Sequence, residues 1–211
     1  MYDALTKKHW YDGWFYAWFV DSGLISLRSH LDRYIEDGKR VIDIGCGTGG
    51  FALKLASRSL EVLGVDISQL QIRQANKRIA ETGQSNIRFV AMDASGLSEL
   101  IDEPFDYAVM TLMLHEIAPA KRVELLQQAG RVAREVIILD YHVPLAWNFW
   151  GTGIRVIEYF TSREHFGNFN EFRRRGGLEA LAGEAGFQIA SRKVNRQRIF
   201  TTFVLRSPAA A

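Results

Sequence analysis

The chain has 211 residues, of which 47% are apolar and 24% are charged, and this balance excludes a disordered or fibrous protein. Its 26 Lys and Arg residues against 24 Asp and Glu give a net charge of +2, too small to indicate nucleic-acid binding by itself. A single cysteine, Cys46, cannot form an internal disulfide, and the first residues lack a signal-peptide pattern. No apolar run approaches the roughly 18 residues that span a bilayer. We therefore expect a cytoplasmic globular protein.

Strand-like and helix-like segments alternate along the chain, which is typical of a parallel sheet covered by helices. Short apolar runs predict five strands, at 41–44, 62–65, 86–92, 105–111 and 136–139. Periodic apolar residues, caps and a proline predict helices at 48–58, from Ser68 to a stop near Gly83, and at 119–132. Further on, the pattern predicts helical structure around 154–160, a short helix at 178–185, and strands at 187–194 and 199–205.

The last two strands are close in sequence and alternate in polarity, so we expect them to pair as an antiparallel hairpin. The predicted fold is a Rossmann-like three-layer α/β/α sandwich with a mostly parallel seven-stranded sheet. Within it, residues 39–206 form the main domain, residues 1–38 form a helical N-terminal extension or lid, and residues 207–211 form a tail.

A glycine-rich turn follows the first predicted strand, in the segment Asp43-Ile-Gly-Cys-Gly-Thr-Gly-Gly50. Glycines tolerate positive φ and let a ligand approach bare backbone, and the start of the next helix supplies free N–H groups. Gly45, Gly47 and Gly50 also satisfy G-x-G-x-x-G, so this motif alone leaves NAD binding open.

Three acidic residues at predicted strand ends narrow the choice of ligand. Asp43 lies two residues before the first glycine, where it could attract an ammonium group. Asp66 closes the second strand and is placed to accept ribose hydroxyls, and Asp93 closes the third, where it could accept from an adenine amino group. All three are expected at the carboxyl edge of the sheet. The implied ligand has an amino group, a ribose and an adenine, and needs no pyrophosphate.

With these residues in place, the chain resembles the class I S-adenosylmethionine-dependent methyltransferases over residues 39–141. The glycine turn is similar to their first motif, which holds the methionine part of the cofactor, and the segment 104–117 is similar to their fourth-strand motif. The resemblance implies S-adenosylmethionine as cofactor and S-adenosylhomocysteine as product. It is strongest to the small-molecule branch that includes ubiquinone and menaquinone methyltransferases. The implied cofactor-binding residues are Asp43, Gly45, Cys46, Gly47, Gly49, Asp66, Ile67, Asp93, Ala94 and Thr111.

Methyl transfer from a sulfonium needs a general base only when the acceptor loses a proton. Candidates follow the fourth and fifth strands: His115, Tyr141 and His142. The alternative role of His115 is to fix its loop together with Glu116. No metal ion is predicted in this site.

Trp10, Trp14 and Trp18 lie four residues apart and form one helical stripe. The stripe could pack on the sheet, bind a membrane surface, or cover the cofactor as a lid whose aromatic faces favour a sulfonium or a flat acceptor. We expect a pocket for a small, apolar or aromatic metabolite. The predicted lining is Tyr11, Trp14, Trp18, Trp147, Trp150 and Tyr159.

Two other functions fit parts of the sequence. Residues 155–211 carry ten Lys or Arg against five Asp or Glu, and the run Arg173–Arg175 could bind RNA phosphates, as in an RNA methyltransferase. The domain could also be a non-catalytic, cofactor-binding regulator. We expect a small-molecule partner rather than nucleic acid, while the oligomeric state is left open.

Overall fold

Five parallel strands and an antiparallel pair form one sheet in the computed structural model, which describes residues 29–207. The strands are β1 (Arg40–Ile44), β2 (Glu61–Asp66), β3 (Ile87–Ala91), β4 (Phe105–Thr111), β5 (Ala133–Tyr141), β6 (Gln188–Val194) and β7 (Phe200–Arg206). Their order across the sheet is β3-β2-β1-β4-β5-β7-β6, with β7 antiparallel to both of its neighbours. The predicted seven-stranded Rossmann-like sheet and its antiparallel C-terminal hairpin are therefore confirmed.

The direction in which strands are added reverses at β1. Strands β2 and β3 lie on one side of it, and β4 and β5 lie on the other. In open α/β sheets, ligands bind in the crevice outside the carboxyl ends of the strands at such a switch point. The fold therefore predicts a ligand site among the segments that follow β1, β2, β4 and β5.

Helices cover both faces of the sheet. They are α1 (Gly50–Ala56), α2 (Gln69–Thr82), α3 (Leu97–Leu100), α4 (Pro119–Val132), α5 (Phe149–Tyr159), α6 (Arg163–Arg174) and α7 (Gly177–Glu184), with 3-10 turns at Ser29–Tyr34 and Ala94–Gly96. The limits of α2 follow from its caps, because Ser68 Oγ accepts from Gln71 N and Gly83 takes a φ of 68°. Helix α4 begins at Pro119 as predicted.

Helix α6 is the main element that the sequence did not predict. Its apolar positions are phenylalanines, and they are interspersed with Gly167, Asn168 and Asn170, which have low helix propensity. Ser162 caps it by accepting a hydrogen bond from His165 N at 3.1 Å. Phe169 and Phe172 are fully buried, so tertiary packing rather than propensity stabilises this helix.

The core lies in two layers, one on each face of the sheet. Because successive residues of a strand point to opposite faces, Ile42 and Ile44 pack with α3, α4 and α7, whereas Val41 packs with α1 and α2. Leu31 and Ile35 are buried in the second layer. Residues 29–38 of the predicted extension therefore pack onto the main domain.

The rest of the predicted N-terminal lid, residues 1–28, and positions 208–211 of the predicted tail lie outside the described residues. Among the helices of residues 29–207, none is long and apolar enough to cross a membrane.

Candidate active site

The loop between β1 and α1 is held at the carboxyl edge of the sheet by β2. Gly45 N and Cys46 N both donate to Val65 O, at 2.8 and 3.0 Å, and Gly47 N donates to Asp66 Oδ2 at 2.9 Å. Gly45, Gly47 and Gly49 have φ values of 75°, 56° and 77°, a region that favours glycine. The loop conformation thus explains why three glycines stand at these positions.

Asp66 joins the glycine loop to the start of α2. One carboxylate oxygen accepts from Gly47 N, and the other accepts from Ser68 N at 2.8 Å. Two such bonds fix the orientation of a carboxylate. Asp66 is therefore held beside the backbone of the glycine loop.

Phe89 on β3 gives a second reason for Gly49 and explains Gly64 and the packing of Cys46. A Cβ on Gly49 would lie 2.4 Å from the Phe89 ring, and one on Gly64 would lie 2.3 Å from it and 3.0 Å from Cys46 Sγ. Cys46 is 2% exposed and packs in the core, as a small residue filling the loop. Phe89 thus packs against β2 at Gly64 and against the start of α1 at Gly49.

The other predicted cofactor residues lie along the same edge. Asp43 is buried on β1, between Gly64 of β2 and Val109 of β4, and Thr111 is buried at the end of β4. Asp93 accepts from Ser95 N at 3.0 Å and lies 3.8 Å from Lys121 Nζ, so it caps the turn that begins at Ala94. The structure brings the predicted residues together at the ends of four neighbouring strands, and Ile67 follows β2 directly.

A buried polar cluster lies beside this edge, after β4 and β5. Asp140 is completely buried, and its carboxylate accepts from the backbone N–H groups of Leu114, His115 and Tyr141, at 3.0, 3.3 and 2.7 Å. Its Oδ1 also lies 2.7 Å from His115 Nδ1. Asp140 therefore fixes both the loop after β4 and the orientation of the His115 ring.

Glu158 and His165 complete the cluster from α5 and α6. Tyr141 Oη donates to Glu158 Oε1 at 2.8 Å, and His165 Nε2 forms a hydrogen bond with Glu158 Oε2. His115 Nε2 lies 3.8 Å from Glu158 Oε1 and 3.8 Å from Glu116 Oε1. The predicted residues His115 and Tyr141 thus lie together, with ring centroids 4.5 Å apart.

The side chain of His142 contacts residues outside the cluster that contains His115 and Tyr141. Its Nδ1 lies 2.9 Å from Thr201 Oγ1, and its backbone N donates to Ile199 O at the start of the β7 region. Burial lowers the pKa of His142, and the charges of Arg192 and Arg198 lower it further. The structure therefore separates His142 from the cluster that contains His115 and Tyr141.

Electrostatic interactions in the cluster shift three pKa values. Burial alone would lower the pKa of His115, but Asp140, Glu116 and Glu158 outweigh it and raise the value to about 9. Burial raises the pKa of Glu116 to about 7. Burial also disfavours the charged form of Glu158, yet the hydrogen bond from His165 and the charge of His115 lower its pKa overall. His115 and Asp140 therefore form a buried ion pair at neutral pH.

This ion pair predicts a fall in stability at alkaline pH. Because the pKa of His115 rises from 6.5 to about 9 on folding, its contribution is complete below pH 6.5 and is lost as the pH rises through 9. A shift of one pKa unit corresponds to about 1.36 kcal/mol. Between these limits we therefore expect the free energy of unfolding to fall by about 3 kcal/mol more in the wild-type protein than in His115→Gln. Urea unfolding with EDTA present, so that no cation competes with the proton, measures the difference. Parallel pH profiles for the two proteins would contradict it.

Three of the residues predicted to line an aromatic pocket are exposed, unlike the buried residues of the cluster. Trp147, Trp150 and Tyr159 are 86%, 56% and 65% exposed, so they form an open surface rather than a closed lining among the described residues. Trp147 stacks against Arg155, whose guanidinium carbon lies 4.0 Å from the ring centroid. The other predicted lining residues, Tyr11, Trp14 and Trp18, lie outside the described residues.

Asp140, Glu158 and His165 are site residues that the sequence analysis missed. Asp140 carries a signal, since it lies near the end of an apolar strand beside two candidate residues. Glu158 carries a second, because it is the only acid in the largely apolar helix α5. The structure buries it, at 4% exposure, while Val156, Ile157 and Tyr159 are exposed, the reverse of the pattern in a typical surface helix. For His165, sequence spacing gives no comparable signal.

The strand order, the glycine loop and the acid at the end of β2 define a Rossmann-like domain with a candidate cofactor site at its carboxyl edge. Residues 41–135 match the family model described as "Methyltransferase domain". This match supports the resemblance to class I S-adenosylmethionine-dependent methyltransferases that the sequence motifs predicted, and it favours that cofactor over NAD.

Two curated relatives and one solved structure illustrate the likeness. A putative ribosomal RNA large subunit methyltransferase of Methanocaldococcus jannaschii is 33% identical over 39% of this chain and 23% of its own length. A ubiquinone biosynthesis O-methyltransferase of Pseudomonas syringae pv. tomato is 27% identical over 72% of this chain and 66% of its own. The chain therefore spans less than two thirds of either relative. The magnesium protoporphyrin IX methyltransferase of Synechocystis, crystallised with bound SAH, has the same fold, with a TM-score of 0.59, 18% identity, and coverage of 88% and 83% of the two chains.

Proposed function

We propose that the protein transfers a methyl group from S-adenosylmethionine to a small, apolar or aromatic acceptor. The observation that carries the proposal is the position of two sites on one sheet edge. The glycine loop and Asp66 lie after β1 and β2, and the buried cluster of His115, Asp140, Tyr141 and Glu158 lies after β4 and β5. A cofactor site and a group able to move a proton are thus neighbours.

The residues at the edge fit the proposed cofactor. Gly45 and Gly47 present backbone without side chains, Asp66 presents an oriented carboxylate, and Asp43 supplies a buried negative charge. In this assignment Asp43 would hold the methionine ammonium, Asp66 the ribose hydroxyls, and Asp93 with Ala94 the adenine. When bound, the cofactor supplies an electrophilic methyl on a sulfonium with a neutral leaving group, and the protein aligns the acceptor and excludes water.

A small acceptor is favoured by the surroundings of the cluster. The loop after β4 is tied down by Arg122, whose Nε donates to Leu114 O and Ile117 O, both at 2.9 Å. The exposed aromatic residues on and before α5, including Trp150 and Tyr159, provide apolar surface near the helix that carries Glu158. The names of two similar proteins also refer to small molecules. One is a ubiquinone biosynthesis O-methyltransferase, and the other is a magnesium protoporphyrin IX methyltransferase. In this proposal His115, whose Nδ1 lies 2.7 Å from Asp140 Oδ1, is the candidate proton-handling group.

An RNA acceptor is the second candidate, because one relative has a ribosomal RNA methyltransferase name. The basic run offers limited support for it. Arg175 pairs with Glu171 and Glu184, and Arg173 donates to Asn170 Oδ1 and lies over the Phe169 ring. The charge of Arg175 is neutralised within the fold, so it contributes less to phosphate binding than an unpaired arginine would.

Incubation with S-adenosylmethionine labelled on the methyl group tests the proposal directly. We expect label to enter a small molecule from a metabolite extract and to be absent when Asp66→Asn replaces the wild-type protein. Mass spectrometry of the extract identifies the acceptor, and total RNA in a parallel reaction serves as the competing substrate. Label in RNA alone would contradict the small-molecule assignment. Tight NADH binding without S-adenosylhomocysteine binding would contradict the cofactor assignment.

A further inference from the structure

Three buried residues from separate elements meet in the cluster beside the sheet edge. His115 follows β4, Glu158 lies near the end of α5, and His165 lies in the first turn of α6. One ligand atom from each, an imidazole nitrogen from the two histidines and a carboxylate oxygen from the glutamate, all lie within 4.8 Å of one another. Each of the three residues is at most 4% exposed.

We propose that His115, Glu158 and His165 bind one first-row divalent transition-metal ion. Two imidazoles and a carboxylate are a donor set that suits zinc and its neighbours, whereas Mg²⁺ and Ca²⁺ prefer oxygen ligands alone. Three protein ligands leave at least one coordination position for water or another small ligand, as in catalytic rather than structural zinc sites. The number and type of the ligands therefore match those of a catalytic metal site.

The hydrogen bonds around the three residues orient them as metal ligands. His115 Nδ1 lies 2.7 Å from Asp140 Oδ1, so this nitrogen donates to the carboxylate, and displacement of the Nε2 proton by a metal ion would free the lone pair of Nε2, which lies 3.8 Å from Glu158 Oε1. A carboxylate that fixes a histidine in this tautomer is the usual second partner of a metal-bound imidazole. Tyr141 Oη plays the same part for Glu158 by donating to Oε1 at 2.8 Å.

The distances within the cluster are compatible with a bound ion. Metal–ligand bonds of about 2.0–2.2 Å at tetrahedral angles place ligand atoms about 3.3–3.5 Å apart. His115 Nε2 and Glu158 Oε1 are 3.8 Å apart, slightly more than this, whereas His165 Nε2 and Glu158 Oε2 are in direct hydrogen-bond contact. Metal binding would therefore replace the His165–Glu158 hydrogen bond and draw His115 inward by a few tenths of an ångström.

The charge of the cluster favours a cation. Asp140, Glu158 and the adjoining Glu116 contribute three carboxyl groups around two histidines in a buried region. Buried charges are tolerated only when they are paired or bound to a metal. Protons on the two imidazoles are the alternative counter-charges, and a divalent ion would replace them. The burial of Glu158 fits the same explanation, because Val156, Ile157 and Tyr159 of α5 are exposed while its one acid is buried.

The open coordination position has a role if the proposed function is correct. An acceptor hydroxyl bound to the ion would lose its proton more readily, since a divalent cation lowers the pKa of a coordinated oxygen. This role rests on the proposed methyl transfer. Metal binding itself rests only on the side chains described above.

Metal titration of the tag-free full-length chain tests the site. After dialysis against a chelator, we expect calorimetry to detect one equivalent of Zn²⁺ per chain, and Co²⁺ to give the visible absorption of a four- or five-coordinate complex. Glu158→Gln and His165→Asn should each weaken Zn²⁺ binding by more than 100-fold. Asp140→Asn should weaken it by about 10–100-fold, the effect typical of a group that orients a ligand. His142→Asn, a buried histidine outside the cluster, is the matched control and should bind as the wild type does.

Binding that is absent in the wild type, or unchanged in both Glu158→Gln and His165→Asn, would overturn the proposal, as would equal loss in His142→Asn. Zinc X-ray absorption of the wild type gives a readout that does not depend on variants folding. Two imidazoles with oxygen donors support the site, and sulfur or oxygen donors alone overturn it. Titration with S-adenosylhomocysteine separates the two proposals. If S-adenosylhomocysteine binds and Zn²⁺ does not, only the metal site is overturned. If Zn²⁺ binds and S-adenosylhomocysteine does not, only the proposed cofactor is overturned.

Discussion

Replacing Asp66 with asparagine is expected to weaken S-adenosylhomocysteine binding at least about a hundredfold. The proposed ribose contacts are two charge-assisted hydrogen bonds, each contributing about 1.5–3 kcal/mol, and the amide cannot reproduce both. The substitution also sets a donating NH2 group against either Gly47 N or Ser68 N, because one carboxylate oxygen accepts from Gly47 and the other from Ser68. Loss of ligand contacts and distortion of the glycine loop therefore act in the same direction. Isothermal calorimetry measures the change.

Asp37→Asn is a suitable control for this experiment. Asp37 precedes β1 at the opposite end of the sheet, and its side chain is 76% exposed and paired with Arg58. We expect it to leave S-adenosylhomocysteine affinity unchanged. A decrease of less than fivefold for Asp66→Asn, with a wild-type unfolding transition, would show that Asp66 serves only the loop and the start of α2.

The sheet could be predicted from the sequence because its signals are local. The apolar run Val136–Leu139 is long enough for a strand buried on both faces, and Ser68, Gly83 and Pro119 mark helix ends by their backbone preferences. The carboxyl-edge acids follow from the same strands, since parallel strands end together. These predictions needed no contact between distant residues.

The buried cluster could be predicted only in part, because its partners are joined by tertiary contacts. His115 and Tyr141 stand beside strand ends and were found, but His165 reaches the cluster through α6, a helix stabilised by the burial of Phe169 and Phe172. His142 illustrates the converse limit. It is adjacent to Tyr141 in sequence, yet residues that alternate along an extended chain point to opposite sides, so it bonds to Thr201 on β7.

Asp140→Ala is expected to reduce the free energy of unfolding by about 3–5 kcal/mol at neutral pH, the cost of leaving one member of a buried ion pair without its partner. The alanine removes the acceptor for three backbone N–H groups as well as for His115 Nδ1, and Asp140 is 0% exposed, so water does not readily replace it. Asp106→Ala provides the comparison, since Asp106 is partly buried and its carboxylate accepts from Arg40 N at 2.9 Å, and we expect it to cost about 1 kcal/mol.

The pH dependence of this loss separates the ion pair from simple packing. Above the His115 pKa of about 9 the imidazole is neutral in the wild type too, so the cost of Asp140→Ala should shrink at alkaline pH to that of the backbone bonds. Urea unfolding of both variants at neutral and alkaline pH, with EDTA present, measures the four values. A loss below 1 kcal/mol for Asp140→Ala, or one that does not change with pH, would mean that the His115–Asp140 pair neither stabilises the cluster nor holds His115 in its charged form. The same measurement therefore tests whether His115 carries both ring protons in the metal-free protein. If it does, His115 can accept a proton from the acceptor only after it has lost one of its own, either to solvent or to a metal ion that takes its place.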